Sequence, residues 1–591
     1  MDDSFDLFYD FGPFRIDAHR RLLLRGVEPI QLTPKVFETL FVLVRNSGRV
    51  LTKGEMIETI WPDSFVEESN LAQHIFLLRK ILGEERNEHR FIVTVPGSGY
   101  RFVAPVKVSD SAASLSLRTE HAGVDVWPPS SLAVLPFKTV PTADGDESLG
   151  LGMADALIMK LSGLRLVKVL PTTAVLRYVG PRQDPLAAGR ELGVDALLDG
   201  FYQRHGDQLR VSTQIIRVRD GATLWAAKFD ESFTNIFAIQ DSVSEQVVQR
   251  LELELSGAER KQLKKNYTDD PEAFRAYIKG RYFWNRRTPE GLRKGLEYAH
   301  KATALDPAYA AAYVAIADTY NLLGAQHSVM APLDAFPKAR AAAERALEID
   351  PGLAEAYASL GFVAYCFDRD WTAAETHFRK AIELKPNYAT AHHWYGEFLT
   401  ASGRFEEAFT SLRQALALDP LSLAVSVDVA ASLYYARDYA LSEEELRKAL
   451  EVDPAFVRTH LNLGEVREQR GQYGEALASL HKAAELSEGD PVILSSLGHA
   501  CAVAGRVREA RAILKELRQL GERRHVPPSG MALIHTGLGE RERAYAWLER
   551  AVEQRDIHLL WLRVNPRFDA LRADEEFDGL LRRACIPGAD A

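Results

Sequence analysis

The alternation of apolar and polar positions divides the chain into three parts and a linker. Residues 1–108 mix short alternating runs typical of strands with segments whose apolar residues recur at helical spacing. Residues 109–130 are small and polar and end near two prolines, which is typical of a linker. Residues 131–257 alternate strand-like runs with helical stretches, and residues 268–585 have helical spacing almost throughout. The pattern predicts a multidomain chain: an α+β domain, an α/β domain and an all-α region.

In the first part, the pattern predicts short strands, then three helices and a closing hairpin. The first helix is predicted to begin at Thr33-Pro34, where a capping residue precedes a proline, and to end before Gly48. The second is predicted over 53–60 and the third from 67 or 68 to 82. A glycine turn joins the two strands of a hairpin over 91–103.

The third helix is predicted to have one apolar and one polar face. Four apolar positions fall within about 60° of one another at about 100° per residue and are expected to be buried: Leu71, Ile75, Leu78 and Leu82. The opposite face carries Asn70, Gln73, Leu77 and Lys80, with Ser69 and Phe76 beside it. Asparagine and glutamine can pair with adenine edges in the major groove, and basic side chains hold phosphates. Arg101 is expected to project from the hairpin towards DNA, and the competing interpretation is a small domain with a solvated helix.

Several motifs follow one another across residues 8–106: Leu32-Thr33-Pro34-Lys35-Val36-Phe37-Glu38-Thr39-Leu40, Gly48-Arg49-Val50-Leu51-Thr52-Lys53, Ile60-Trp61, His74-Ile75, Leu78-Arg79-Lys80 and Thr94-Val95-Pro96-Gly97-Ser98-Gly99-Tyr100-Arg101-Phe102. With them, the domain resembles the winged-helix effector domain of OmpR/PhoB-type response regulators. The resemblance implies a helix-turn-helix variant with its third helix in the major groove, the hairpin as a wing, and control of transcription. The DNA contacts are then expected from Ser69, Asn70, Gln73, His74, Leu77, Arg79, Lys80, Ser98 and Arg101.

Two features depart from that family. Phe76 and Leu77 stand where some members carry an arginine pair, so contacts with thymine methyl groups are expected there instead of guanine recognition. Residues 11–108 hold 14 lysines and arginines against 11 acidic residues, a net charge of only +3. Affinity for DNA is therefore expected to depend on tandem sites or on self-association.

The all-α region repeats itself at intervals close to 34 residues. Prolines mark the intervals at positions 271, 307, 351, 386, 420, 454 and 491. Small residues such as Gly361, Gly396 and Gly464 recur within the units, and Phe378, Leu412 and Leu480 are expected to fill the gaps between them. A proline is expected to stop the second helix of each unit. This pattern resembles the tetratricopeptide repeat, with roughly eight or nine units between 271 and 585.

A stack of such repeats is expected to offer a concave surface formed by the first helix of each unit. We expect this surface to hold a protein or a peptide, while a spacer or a dimerisation surface is the alternative. His392 and His393 are adjacent on a predicted helix and point about 100° apart, so the two side chains are not expected to chelate a metal together.

The middle part contains Ser131-Leu132-Ala133-Val134-Leu135-Pro136-Phe137 and Leu197-Leu198-Asp199-Gly200, with a helix around 153–161. With these runs it is similar to TolB amino-terminal-like domains, which stand beside repeat arrays in bacterial regulators and some adenylate cyclases. Gly150 and Gly152 resemble part of a nucleotide-binding loop, but they do not follow a strand directly, so close packing at a helix start is expected. Neither a phosphate-binding loop nor a metalloprotease or serine-hydrolase motif occurs, so no enzyme activity, cofactor or metal is expected.

Composition and charge place limits on the location and the partners. The beginning of the sequence is acidic, no stretch reaches about 18 uninterrupted apolar residues, and the three cysteines are far apart, so a cytoplasmic protein without a membrane partner is expected. The net charge of −10 disfavours a nonspecific nucleic-acid coat. A winged helix placed first resembles the order in CadC-type one-component regulators. We expect a sequence-specific transcriptional regulator whose repeats sense a partner, with possible homo-oligomers; the alternative is a scaffold whose winged helix contacts protein.

Overall fold

The computed structural model describes residues 7–17, 22–25, 28–30, 32, 34–60, 68–82, 84, 90–95, 98–110, 129–139, 147–164, 167–180, 184–205, 208–232, 236–251, 256–257, 268–285, 288–325 and 330–587. Contacts between residues divide the chain into two compact units, Met1–Asp125 and Val126–Ala591. Across these described ranges, no helix combines the length and the apolar character that a bilayer span requires.

The first unit consists of two antiparallel sheets and three helices. Its elements are β1 Leu7–Phe11, β2 Phe14–Asp17, β3 Leu22–Arg25, β4 Glu28–Ile30, α1 Pro34–Arg45, β5 Val50–Thr52, α2 Lys53–Ile60, α3 Glu68–Ile81, β6 Ile92–Val95, β7 Gly99–Phe102 and β8 Lys107–Asp110. One sheet has the strand order β4-β3-β2-β1-β8, and the other has the order β5-β7-β6. The predicted order of strands, helices and hairpin is confirmed, and β8 extends the sheet by two residues into the segment expected to be a linker.

Aromatic side chains form much of the core of this unit. The ring centroids of Phe11 and Phe102 lie 5.1 Å apart, and those of Phe14 and Phe91 lie 5.6 Å apart. Helix α2 begins with a capping box, because the Thr52 hydroxyl accepts from the Glu55 amide while the Glu55 carboxylate accepts from the Thr52 amide. The apolar face predicted for α3 is confirmed, since its four positions are buried: Leu71, Ile75, Leu78 and Leu82.

The middle domain of the second unit is built on a mixed sheet, which confirms the predicted α/β class. Its elements are β9 Ser131–Val134, β10 Lys138–Thr139, α4 Glu147–Leu161, β11 Lys168–Val169, α5 Thr172–Val175, α6 Pro185–Leu192, β12 Ala196–His205, β13 Gln208–Arg217, β14 Thr223–Ser232 and α7 Ile236–Arg250, with a 3₁₀ turn at Leu176–Tyr178. The strand order is β11-β9-β12-β13-β14, and β10 also pairs with β12. Pairs among β9, β10, β11 and β12 are parallel, and β13 is antiparallel to both of its neighbours.

Gly150 and Gly152 serve close packing in α4, as expected. A Cβ built on Gly150 would overlap the carbonyl oxygen of Phe137, and one built on Gly152 would overlap the side chain of Ile278 in the repeat array. The two glycines therefore allow α4 to approach the end of a strand on one side and a helix of the array on the other.

The described helices of the repeat array form eight successive pairs. They are α8 Pro271–Asn285 and α9 Pro289–Leu305, α10 Ala310–Ala325 and α11 Pro332–Ile349, α12 Ala354–Val363 and α13 Trp371–Leu384, α14 Ala389–Ala401 and α15 Phe405–Leu418, α16 Leu423–Tyr435 and α17 Tyr439–Val452, α18 Val457–Gln469 and α19 Tyr473–Leu486, α20 Pro491–Val503 and α21 Val507–Leu520, and α22 Pro528–Gly537 and α23 Arg541–Glu553. A π turn, Ala364–Asp368, follows α12. The chain then continues through 3₁₀ turns at Ile557–Trp561 and Pro566–Leu571 to α24, Glu575–Arg583.

The predicted pairing of glycines with large residues within the repeats is confirmed. A Cβ built on Gly361 would lie 2.9 Å from the ring of Phe378, and one built on Gly396 would lie 2.6 Å from Leu412 Cγ. A Cβ built on Gly464 would likewise overlap the side chain of Leu480. The glycine therefore lets the two helices of a pair approach until the large side chain fills the space between them.

The prolines do not all have the role that their spacing predicted. At five positions the proline comes two residues after the last residue of the helix: 307, 351, 386, 420 and 454. Pro271 and Pro491 instead are the first residues of α8 and α20, where the preceding Asp270 and Asp490 cap the helix. The expectation that these two prolines stop a helix was wrong. An Asp-Pro pair can also begin a helix, because the aspartate caps it and the proline fits its first position.

The middle domain packs against the array. The Asn387 side chain donates to the carbonyl of Leu164 at 3.2 Å, and the Tyr277 hydroxyl contacts the Met159 sulfur at 3.3 Å. The Thr173 hydroxyl donates to the Asp419 carboxylate. The contacts come from three separate repeats, so the domain and the array form a single packed unit.

Candidate nucleic-acid interface and repeat surfaces

The exposed face of α3 carries the residues best suited to contact bases. Gln73 is exposed, and Leu77 retains 38% of its surface although it is a large apolar side chain. Ala72, which the sequence interpretation did not include, is also exposed beside Gln73. An amide and two small or apolar groups on one helix face match an adenine edge next to thymine methyl groups.

Three of the expected contact residues lie on α3 with side chains outside the described part of the structure: Ser69, Asn70 and Lys80. Their backbone belongs to the helix, as expected. Their roles stay predictions.

His74 is placed towards the interior of the domain instead of on the exposed face. Its Nδ1 lies 3.0 Å from the hydroxyl of Thr39 in α1, and the Thr39 side chain is fully buried. Burial lowers the pKa of His74, which favours the neutral imidazole near pH 7. His74 therefore holds α3 against α1 in this structure, and a direct contact with DNA is not its geometry here.

Arg79 connects α3 to the wing. Its guanidinium donates to the carbonyl of Ile92 at 3.0 Å and to the hydroxyl of Thr94 at 2.9 Å. It also lies 3.6 Å from the Glu84 carboxylate, whose side chain is fully buried and accepts from the Ile92 amide. These contacts hold the helix against the hairpin, and the expected contact of Arg79 with a phosphate stays a prediction.

In the described part of the wing, Ser98 and Thr94 are exposed and Arg101 is half-buried. Ser98 is exposed in the turn, where its amide donates to the Val95 carbonyl at 3.0 Å. Arg101 lies on β7, opposite Val50 of β5 and Val93 of β6. Its Nε is buried and has no hydrogen-bond acceptor in the described part of the domain.

The face formed by the first helices of the repeats is occupied by the end of the chain. We define residues 555–587 as the C-terminal segment. Its carbonyls at Asp556 and Ala584 accept from the guanidinium of Arg369, at 3.0 and 2.9 Å. Further contacts link Trp371 to Cys585, Arg563 to Ser402, Arg567 to Glu465 and Ser496, and Asp569 to Arg437.

These contacts change the expectation of an open concave surface. The partners of the C-terminal segment lie on first helices, or just after them, from the third to the seventh helix pair. The middle domain contacts the earlier repeats. The predicted peptide surface is therefore partly filled by the chain itself, which the repeat spacing alone does not reveal.

One cluster of charged groups lies on the same face. The Nε2 of His393 is 2.7 Å from the Asp428 carboxylate and 3.9 Å from that of Glu397, and Arg458 pairs with Asp428. Burial, together with the neighbouring Asp428, raises the pKa of Glu397 to about 7. Burial opposes a charge on His393, but Asp428 and Glu397 outweigh that effect and raise its pKa.

The adjacent His392 points elsewhere, since its Nε2 lies 2.9 Å from the carbonyl of Pro386. This confirms that the two histidines do not converge on one point. One ligand atom each of His393, Glu397 and Asp428 does fall within 4.8 Å of the others, a grouping that the sequence interpretation missed because Asp428 comes from the next repeat.

Comparison with known proteins agrees with this architecture. Residues 27–102 match the family described as "Transcriptional regulatory protein, C terminal", and residues 129–246 match the "HilA/YgeH-like transcriptional regulator, second domain". Tetratricopeptide-repeat families match residues 364–422, 430–491 and 467–523. For the middle domain the matching family is thus the HilA/YgeH-like one.

Three relatives illustrate the similarity. The transcriptional regulator HilA of Salmonella typhi is 27% identical over 417 residues, which is 70% of this chain and 71% of HilA. The sensory transduction protein RegX3 of Mycolicibacterium smegmatis is 40% identical over 91 residues, which is 15% of this chain and 40% of RegX3. The crystal structure of the Thermotoga maritima response regulator DrrB, an OmpR/PhoB homolog, is 34% identical with a TM-score of 0.16, covering 16% of this chain and 44% of DrrB.

The fold, the exposed face of α3 and these matches define the class of the protein. It is a DNA-binding transcriptional regulator with an OmpR/PhoB-type winged helix and a tetratricopeptide-repeat module. Within that class it is similar to HilA over 70% of its length, and residues 129–246 match the second domain of HilA/YgeH-like regulators.

Proposed function

We propose that α3 binds in the major groove and selects a sequence through Gln73 and Leu77, while the wing contacts the backbone. The observation that carries this proposal is the pair of exposed side chains on the side of α3 opposite its buried leucines. A glutamine amide can pair with the N6 and N7 positions of adenine, and a leucine side chain can pack against a thymine methyl group. Arg101, which is half-buried on β7 of the wing, would contact a phosphate.

A gel shift with the DNA upstream of the protein's own gene, repeated over a salt series, tests this proposal. Gln73→Ala should weaken binding of the specific site by about 1 to 3 kcal/mol and relax the choice of sequence. Gln414→Ala makes the same chemical change at an exposed position on α15 and should leave binding unchanged. Lys80→Ala should weaken binding to all duplexes and reduce the slope of log affinity against log salt by about 1.

The outcome also separates the regulator from a scaffold whose winged helix binds protein. If the chain is such a scaffold, no duplex should give a salt-dependent gel shift, and none of the three variants should differ from the unaltered chain. Equal losses from Gln73→Ala and Lys80→Ala on every sequence would contradict base recognition by α3.

We further propose that the second unit provides the regulatory input by binding a partner protein or a ligand. A ligand or partner can change DNA occupancy only by the difference between its affinities for two states of the protein. The contacts of the C-terminal segment with five repeats support this role, because a partner that binds the first helices would compete with that segment. Self-association on tandem DNA sites is part of the same proposal.

We also propose that the chain acts by binding and not by catalysis, and that it does so in the cytoplasm. The first point is supported by the lack of catalytic motifs in the sequence. The second is supported by its class, since a transcriptional regulator must reach the chromosome.

A further inference from the structure

A cavity of about 120 Å³ lies where the middle domain meets the first repeats. Helix α4 forms one wall, and α8, α10 and the beginnings of α12 and α14 form the others. Its volume is comparable to that of engineered cavities of about 150 Å³ that bind benzene. The space therefore has about the size that takes a small aromatic ring.

Acidic groups outnumber basic groups in the cavity wall. Asp155, Asp318 and Glu355 face the cavity together with Arg281 and Lys385. Lys385 pairs with Glu355 at 2.8 Å, and Ser359 donates to Asp318. With the carboxylates and both cations charged, the wall has a net charge of −1, so a ligand with one positive charge would balance it.

Asp155 provides a specific acceptor for such a ligand. Only 2% of this residue is exposed, and its Oδ1 accepts from the Thr172 hydroxyl. Arg281 pairs with this carboxylate, since its Nη2 donates to Oδ1 at 3.5 Å and its Nε lies 3.5 Å from Oδ2. That separation leaves Oδ2 without a hydrogen-bond donor in the described part of the chain. A buried carboxylate oxygen without a donor is unfavourable, and an N–H group of a ligand would satisfy it.

The rest of the wall suits an apolar body and a positive charge. Tyr277, Trp284 and Tyr388 line the cavity with aromatic rings, which attract cations through their faces. Arg281 and Lys385 already lie over the rings of Trp284 and Tyr388, at 4.7 and 5.5 Å from the centroids, which leaves Tyr277 as the ring for a ligand. Ile158, Val314 and Leu353 add aliphatic surface.

We propose that this cavity binds a small organic cation, a protonated amine on an apolar body, with the amine at Asp155. Nothing in this inference depends on DNA binding, so it stands apart from the proposed function. Because the ligand would contact both the middle domain and the repeats, its binding would favour the arrangement in which the two are packed together.

Ligand-observed NMR with the full chain tests the proposal with three probes of equal size: benzylamine, benzyl alcohol and benzoate. Benzylamine should bind at least about tenfold more tightly than either analogue, since a charged hydrogen bond to a buried carboxylate contributes about 1.5 to 3 kcal/mol. It should also slow hydrogen exchange in peptides of α4 and α10, which form opposite walls. Equal binding of the three probes, tightest binding of benzoate, or no saturable binding of benzylamine would overturn the proposal.

Variants locate the site. Asp155→Asn should abolish the preference for benzylamine, whereas Asp230→Asn, the same change in the exposed Arg210–Asp230 pair of β13 and β14, should leave it intact. Ala315→Leu fills the cavity from α10 and should block all three probes. If a cavity variant fails to fold, as judged by circular dichroism, the comparison of the three probes with the unaltered chain still decides the question. Unchanged benzylamine binding in a folded Asp155→Asn chain would contradict the assignment.

Discussion

Leu77 is one of the two positions where this winged helix is expected to depart from the OmpR/PhoB-type pattern, and its exposure makes the departure testable. A large apolar side chain with 38% of its surface exposed on a polar face needs a partner to remove that surface from water. The methyl group of thymine is the one apolar feature of the major groove.

We therefore predict that Leu77 contacts thymine. In a duplex site bound by the full chain, replacing the contacted thymine with uracil removes only a methyl group and should weaken binding by about 0.8 kcal/mol. The Leu77→Ala chain should bind the thymine and uracil duplexes equally, as measured by fluorescence anisotropy. A methyl effect of the same size in both chains would place the contact elsewhere on the protein.

A second prediction at this scale concerns Glu397. Since burial and Asp428 raise its pKa to about 7, well above its ordinary value, the folded state favours the protonated carboxyl. The stability that this proton contributes is present at pH 5 and is lost as the pH rises through 7.

Glu397→Gln should remove this dependence, because an amide imitates the protonated acid. Calorimetry between pH 5 and pH 8 should show the unfolding temperature of the unaltered chain falling relative to that of the variant. Glu451→Gln, at an exposed position of α17, is the matched control and should follow the unaltered chain. A variant that loses stability in parallel with the unaltered chain would contradict the raised pKa.

At the scale of elements, the repeats depend on the glycine that most of the first helices carry; α16 has none. Gly396→Ala would place a methyl group 2.6 Å from Leu412 Cγ, and Leu412 is fully buried, so it has little room to move. Such overpacking is expected to destabilise the array by about 1 to 3 kcal/mol.

Gly474→Ala is the matched comparison, because this glycine lies in α19 with no atom within 4 Å of the position of a Cβ. That change should be neutral or should stabilise the helix by about 0.5 to 1 kcal/mol, since alanine has the higher helix propensity. Denaturant unfolding followed by circular dichroism measures both. Equal effects of the two substitutions would argue against tight packing at Gly396.

Several helices and the hairpin could be predicted because short-range sequence signals determine where they begin and end. Helices α1 and α2 and the hairpin follow from caps, prolines and a glycine turn, all of which are set by neighbouring residues. Pro271 and Pro491 were misassigned because an Asp-Pro pair is compatible with either end of a helix. The contacts of His74 and Arg79 within the domain were not predicted, because their partners, Thr39 and the Ile92 carbonyl, are 35 and 13 residues away in sequence.

At the scale of the whole molecule, the C-terminal segment contacts repeats that lie far from it in sequence. Arg369 and Ala584 are separated by 215 residues, and no repeat period predicts their hydrogen bond. The cavity beside Asp155 is hidden from the sequence for the same reason, since its walls come from the middle domain and four helices of the array.

Arg369 is predicted to anchor the C-terminal segment. Arg369→Ala removes two hydrogen bonds to the carbonyls of Asp556 and Ala584, which should increase hydrogen exchange in peptides from 557–587. Exchange in α18 and α19 should change little, because neither helix contacts Arg369. Arg413→Ala, at an exposed position of α15, serves as the control. An unaltered exchange pattern in the C-terminal segment would show that other contacts hold it in place.

Selection of duplexes from a random library by the intact chain, at low ionic strength, tests the central claim most directly. The account predicts enrichment of one sequence motif, and loss of that enrichment in the Gln73→Ala chain but not in the Gln414→Ala chain. If no motif is enriched, or if the Gln73→Ala chain enriches the same motif to the same extent, recognition of DNA by the exposed face of α3 is contradicted.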